Sequence, residues 1–310
     1  MFNPLQNINN SSVEQTLNNG TFCNLQVSIW TASKKVPTGE VSLGATDESL
    51  FRVNKDLIEK SVLKPIRQQA QKAAEMLHSK ALPFNIRGIY YVPTQNIAKV
   101  LETIEDLNTQ FWSRVDEFCA QYDLYREEAR LRLNGHFHET DYPSADKIRD
   151  KFNWNLQMMQ FSAPSRLQFV NREMYEQATA NFHADIEAFR ENSVLLLREK
   201  FKALVDHIME RLTPDAEGQR KIFRNSMVEN LRQFIGDFQN LNISNDTELA
   251  EEINKVNLLM EGVQPEELRS SAALPQYLGQ ILERVKTNVD QMIETAPKRR
   301  VRYERLGEVA

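Results

Sequence analysis

Two stretches free of proline and glycine dominate this chain, each carrying an apolar stripe at helical spacing. From Ile97 to about Leu133 the apolar positions are Ile97, Leu101, Ile104, Leu107, Phe111, Val115, Phe118, Tyr122, Tyr125 and Ala129, in steps of three or four. This is close to a heptad pattern with a local stutter. At 1.5 Å per residue it predicts a rod of roughly 55 Å. From Asn171 to Leu212 a second stripe runs through Tyr175, Ala178, Phe182, Ile186, Phe189, Val194, Leu197, Phe201, Leu204 and Ile208, before Pro214 stops it. Helices this long need a cover for the stripe, and the simplest cover is the other rod, antiparallel at about 20°. The expected frame is thus mainly α: a long, antiparallel, coiled-coil-like hairpin of 97–133 against 171–212. Ile104, Phe111, Val115, Phe118 and Tyr122 on one rod, with Phe182, Phe189 and Phe201 on the other, form the candidate assembly stripe.

Shorter segments add a small β element. In "TFCNLQVSIWTASKKV" Leu25, Val27 and Ile29 share one face, which predicts a strand. "LPFNIRGIYYVP" and "WNLQMMQFSAP" read as two more, the former pairing with the first. Pro65 predicts a kink or break in the helix that follows Asn54. Helical patterns resume over 216–240, 246–261 and 274–295. The expected organisation is a flexible tail over 1–20, a body of strands and long helices over 21–215, a C-terminal helical region over 216–296 and a basic tail over 297–310.

Composition removes several function classes. Ten glycines in 310 residues are few and scattered, with neither GxxxxGK[ST] nor GxGxxG, so neither familiar phosphate loop is present. A net charge of −5 gives no general attraction to nucleic acid or acidic lipid. Cys23 and Cys119, far apart in sequence, suit a reducing compartment and packed thiols. The N-terminus lacks the basic and apolar regions of a signal peptide, and no window is apolar enough to span a bilayer. A cytoplasmic location without membrane contact is expected.

Two segments invite chemistry. "NGHFHETDYP" places His136 and His138 two residues apart, beside Glu139 and Asp141, as weak candidates for a metal. The ligand count falls short, and there is no HExxH. The competing reading is a solvated turn in which Gly135 closes the first rod as C′ residue and the histidines meet the negative end of its dipole. The C-terminal "PKRRVRYER" gathers Lys298, Arg299, Arg300, Arg302 and Arg305 around Tyr303, a set able to meet phosphates or an acidic partner. No catalytic constellation and no cofactor are expected.

The segment from "LPFNIRGIYYVPTQNIAKVLETIEDLNTQFW" to "SRVDEFCAQYDLYREEARLRL", after a strand carrying Trp30 and before "FNWNLQMMQFSAPS", resembles an uncharacterised domain family of phages and mobile elements. Members are often encoded beside a MoxR-type AAA+ ATPase and a von Willebrand factor A protein. The likeness covers about residues 22 to 215. It implies a non-enzymatic component of an ATPase-linked system, with those two proteins as partners, and supplies no functional residues. The resulting expectation is a structural or adaptor protein that acts through protein–protein contacts and self-associates. The alternatives are nucleic-acid binding through the basic tail and, third, a metal-dependent enzyme.

Overall fold

The computed structural model describes residues 12–36, 52–212, 225–261 and 273–296. Among these residues the chain is mainly helical, with eight helices, a small four-stranded antiparallel sheet and a two-stranded one. In chain order the elements are α1 (12–18), β1 (Gly20–Ser28), β2 (Ser33–Val36), β3 (Val53–Asp56), α2 (Lys64–Lys80), β4 (Leu82–Pro83), β5 (Ile89–Pro93), α3 (Thr94–Ala120), α4 (Tyr122–Leu133), β6 (Asn153–Met159), α5 (Arg172–Leu212), α6 (Asn225–Leu241), α7 (Thr247–Met260) and α8 (Ala273–Thr295).

The four-stranded sheet, in the order β4-β5-β1-β6, organises everything else. The expected pairing of the first strand with "IYYVP" is present, from Gly20↔Pro93 to Asn24↔Ile89, and β6 lies on the other side of β1 from Phe22↔Met159 to Ser28↔Asn153. Successive side chains in a strand point to opposite faces, and that alternation sorts the sheet into two cores. Cys23, Leu25, Val27, Tyr90, Val92, Trp154 and Leu156 face the first core, with α2, α3 and α4. Phe22, Ile89, Tyr91 and Met159 face the second, with α5 to α8.

The two rods therefore do not cover each other. Ile104, Phe111, Val115, Phe118 and Tyr122 are buried in the first core, where α3 packs on α2 and the sheet. Phe189 and Phe201 are buried in the second, where α5 packs on α8 and α6. The candidate assembly stripe is thus intramolecular core at seven of its eight positions; Phe182 is half-buried. A sheet with apolar groups on both faces needs a helical layer on each, and each rod covers one. The first rod is also broken, at Gln121 (φ −105°, ψ 3°). Tyr122, which opens α4, is fully buried beside Trp30 and donates its hydroxyl to the Pro143 carbonyl at 2.9 Å.

Other boundaries differ from expectation. Within the supposed flexible tail, residues 12–18 are helical, Val13 is buried, and the Thr16 carbonyl accepts a 2.7 Å hydrogen bond from the Tyr91 hydroxyl. Pro65 does not kink a helix but sits in the first turn of α2, where its missing N–H costs nothing. "LPFNIRGIYYVP" holds two strands, β4 and β5, around Gly88, whose φ of +82° suits glycine. The C-terminal region is no separate unit in packing. Leu231, Leu249, Val256, Leu282 and Val289 share one core with Phe189 and Phe201.

Candidate functional site

The histidine loop follows α4 and is built from side-chain clamps. Asn134, not Gly135, takes the positive φ (+47°), and its N–H bonds back to the Arg130 carbonyl. Two 3-10 turns follow, Asn134–His136 and Glu139–Asp141. Lys34 and Lys55 stand opposite each other in the β2–β3 register, and both pair with the nearly inaccessible Asp141 carboxylate, Lys55 at 2.5 Å. Lys55 also donates to the His136 carbonyl at 2.7 Å. Glu139 pairs with Arg126, and with Arg130 at 3.0 Å. Arg130 lies 4.9 Å from the Phe137 ring centroid, and Phe137 stacks on Tyr142, whose hydroxyl donates to the Leu57 carbonyl at 2.7 Å.

The two carboxylates a metal would recruit are thus each held by two cations. Among the described residues no group of three His, Cys, Asp or Glu is arranged to hold a metal. Burial of Asp141 acts to raise its pKa, but hydrogen bonds and charge from Lys34 and Lys55 outweigh it and hold the carboxyl below its ordinary value. What the loop does physically is fasten the β2–β3 hairpin to the end of α4. Without Asp141 two lysines would face each other uncompensated.

A groove of about 970 Å³ lies where α2, α3, α5 and α6 meet, on the seam between the two cores. Met76, Leu204, Phe234 and Leu241 contribute apolar surface, and Lys99, Lys200 and His207 add polar groups. Burial lowers the pKa of Lys200, whose ammonium donates to the His78 carbonyl at 2.7 Å. Nearby, Lys80 pairs with Asp237, and Asn96 joins the Lys80 carbonyl (2.7 Å) to Asn240 (2.9 Å). Several of its polar groups thus tie α2 to α5 and α6, which makes the groove a seam first and a ligand surface second.

Among the described residues one sparsely covered feature is the start of α5. From Arg172 to Asp185 no residue is buried, and the first buried side chain is Ile186. The 3-10 turn Ser165–Phe169 folds back against this end. Phe169 and Val170 are 83% and 80% exposed, and Met174 is 54% exposed. Tyr175, Ala178 and Phe182 continue the apolar stripe here half-covered. Asn171 Oδ1 accepts from the Met174 N–H at 3.1 Å and caps the helix. The arm is a formed helix end whose stripe outruns its cover.

Sequence reasoning missed the polar centre of the second core. Arg198, buried on α5, binds Asp246 through Nε (2.7 Å) and Nη2 (3.0 Å), Glu248 at 3.1 Å and the Met292 carbonyl at 2.7 Å. Asp246 also accepts from the Leu249 N–H as N-cap of α7. The available signal was a cap residue in "NISNDTEL" and an arginine between Leu197 and Phe201. Lys298, Arg299, Arg300, Arg302 and Arg305 lie outside the described residues. Among the described residues no helix is long and apolar enough to cross a membrane.

Comparison with known proteins gives a family without a stated function or partner. A family model described as a protein of unknown function, DUF3150, matches residues 17–214, while no curated protein and no solved structure matches the chain. The match ends with α5, although the core that α5 enters continues to Val289 in α8. With nearly two thirds of its length matched, the chain belongs to the DUF3150 family.

Proposed function

We propose that this protein is a non-enzymatic structural or adaptor component that acts through protein–protein contacts and associates with itself. The observation that carries this reading is the α5 arm. Phe169 and Val170, just before the helix, and Met174 in its first turn are all exposed, and apolar surface of this kind is what a partner would cover. The apolar stripe through Tyr175, Ala178 and Phe182 gives that partner a helical face to read. The resemblance to phage and mobile-element proteins supplies candidates for the partner, a MoxR-type AAA+ ATPase and a von Willebrand factor A protein.

The test places a photoreactive residue at Met174 in the cell, with the exposed Lys72 position, outside the groove, as control. One discrete protein adduct at 174 and none at 72 is expected. No adduct at 174, or the same adducts at both, overturns the reading. A second reading, nucleic-acid binding, draws on the five cations of 298–305. Steeply salt-dependent DNA or RNA binding that disappears on deletion of 297–310 is what it requires.

A further inference from the structure

The sheet has two edges, and the sequence treats them differently. β4 is two residues long and ends in Pro83, both devices that keep an edge from pairing. β6, at the other edge, is seven residues, Asn153–Met159, without proline and without a single charge, in a chain of which 26% is charged. Among the described residues its backbone pairs with β1 alone. Uncharged strands of this length belong inside sheets, and β1, an interior strand, has the same character. The two share a tripeptide. Asn24-Leu25-Gln26 of β1 lies against Asn155-Leu156-Gln157 of β6, with Asn24↔Gln157, Leu25↔Leu156 and Gln26↔Asn155 in register. Run antiparallel, this tripeptide is its own complement: amide meets amide on one face and leucine meets leucine on the other.

We infer that β6 is the homotypic contact, and that two copies of this chain join antiparallel through their β6 edges with Leu156 on the twofold axis. The outer edge of β6 offers a second copy the same Asn-Leu-Gln that its inner edge already offers β1. Asn155 then lies opposite the second copy's Gln157. Trp154 lies opposite its Met158, a side chain now 41% exposed, and thioether against indole is a favourable cross-strand pair. A twofold contact of this kind is closed, because each copy has one such edge and β4 is blunted. The occupant is a second copy rather than a foreign strand, because the chain itself supplies the matching sequence in the matching direction.

This deepens the self-association part of the function proposed above and leaves the α5 arm untouched. Asn155 and Gln157 lie on the same face as Met159 at the polar margin of the second core, Gln157 exposed and Asn155 half-exposed, so lysine or glutamate there is compatible with the fold. Light scattering of the full chain at rising concentration is expected to approach twice the monomer mass of 36.0 kDa. Asn155→Lys with Gln157→Lys sets like charges opposite each other twice and is expected to return the mass to 36.0 kDa with the melting temperature kept. Asn155→Glu with Gln157→Lys sets opposite charges across the same axis and is expected to restore the dimer. A wild-type monomer at every concentration overturns both this inference and self-association. A dimer in all three proteins overturns the β6 contact while self-association stands, and loss in both variants overturns the register.

Discussion

The two long helices look alike as sequence and are used in opposite ways. α3 is covered along its length: Val100, Ile104, Leu107, Phe111, Val115 and Phe118 all enter one core on one face. α5, 41 residues long, begins uncovered and ends with one face in the core, Ala203, His207 and Glu210 staying exposed. Past Ile186 it buries Ala188, Phe189, Ser193, Leu197, Arg198, Phe201 and Val205, which wrap more than one side of the helix. The contrast teaches that a stripe at helical spacing announces burial but does not name its cover. α3 is a wall of the sheet, whereas α5 is an axle that the sheet, α6, α7 and α8 share, with one end projecting.

The comparison can be broken first at Arg198. Its guanidinium neutralises Asp246 inside the packing of α5, α7 and α8, and removing one partner of such a pair leaves a buried charge. Arg198→Ala is expected to cost about 3–5 kcal/mol, read by denaturant unfolding. A cost near zero would mean that α5 is no axle. Next, the same truncation on both rods should give unequal answers. Phe111→Ala, at a fully buried ring, is expected to cost about 3–5 kcal/mol. Phe182→Ala, on the arm, should cost ~1 kcal/mol or less. Equal losses would show that the arm is covered after all.

Smaller effects sharpen where the two cores meet. A Cβ on Gly20 would lie less than 3.0 Å from ring atoms of Tyr91, which is fully buried and anchored to Thr16. Gly20→Ala is expected to destabilise by about 1–3 kcal/mol, and a lower melting temperature checks it. The smallest effect belongs to the clamp beyond α4. Because the folded pKa of Asp141 lies below its unfolded value of roughly 3.9, its stabilisation is present above that value. It is lost as pH falls through the folded pKa. The stability gap between the protein and Asp141→Asn should therefore be constant near neutrality and close in acid; a gap that persists in acid contradicts the Lys34–Asp141–Lys55 clamp.

Much of the fold was legible because its signals are local. The span of α5, the strand at Asn153–Met159 and the β1–β5 pairing follow from periodicity, proline and glycine positions and β-branched runs. The break at Gln121 and the helix over 12–18 carried no such signal, since both exist to place Tyr122, Val13 and Thr16 against residues distant in sequence. The histidine loop was half legible. Its helix-ending role could be read from composition, whereas the lysines that engage Asp141 come from a hairpin about a hundred residues earlier.

By itself the sequence determined where most of the apolar core would come from, though not that Leu101 is exposed or that Arg198 is buried. The stripe positions Ile104, Phe111, Phe118, Phe189 and Phe201 are core because apolar groups at helical spacing must leave water together. What only the tertiary structure decided is against whom. A four-stranded sheet with alternating faces stands between the two rods and gives each its own core. Burial is a property of a side chain and water, and periodicity records it. The identity of the neighbour depends on how strands far apart in the chain pair, which periodicity does not record.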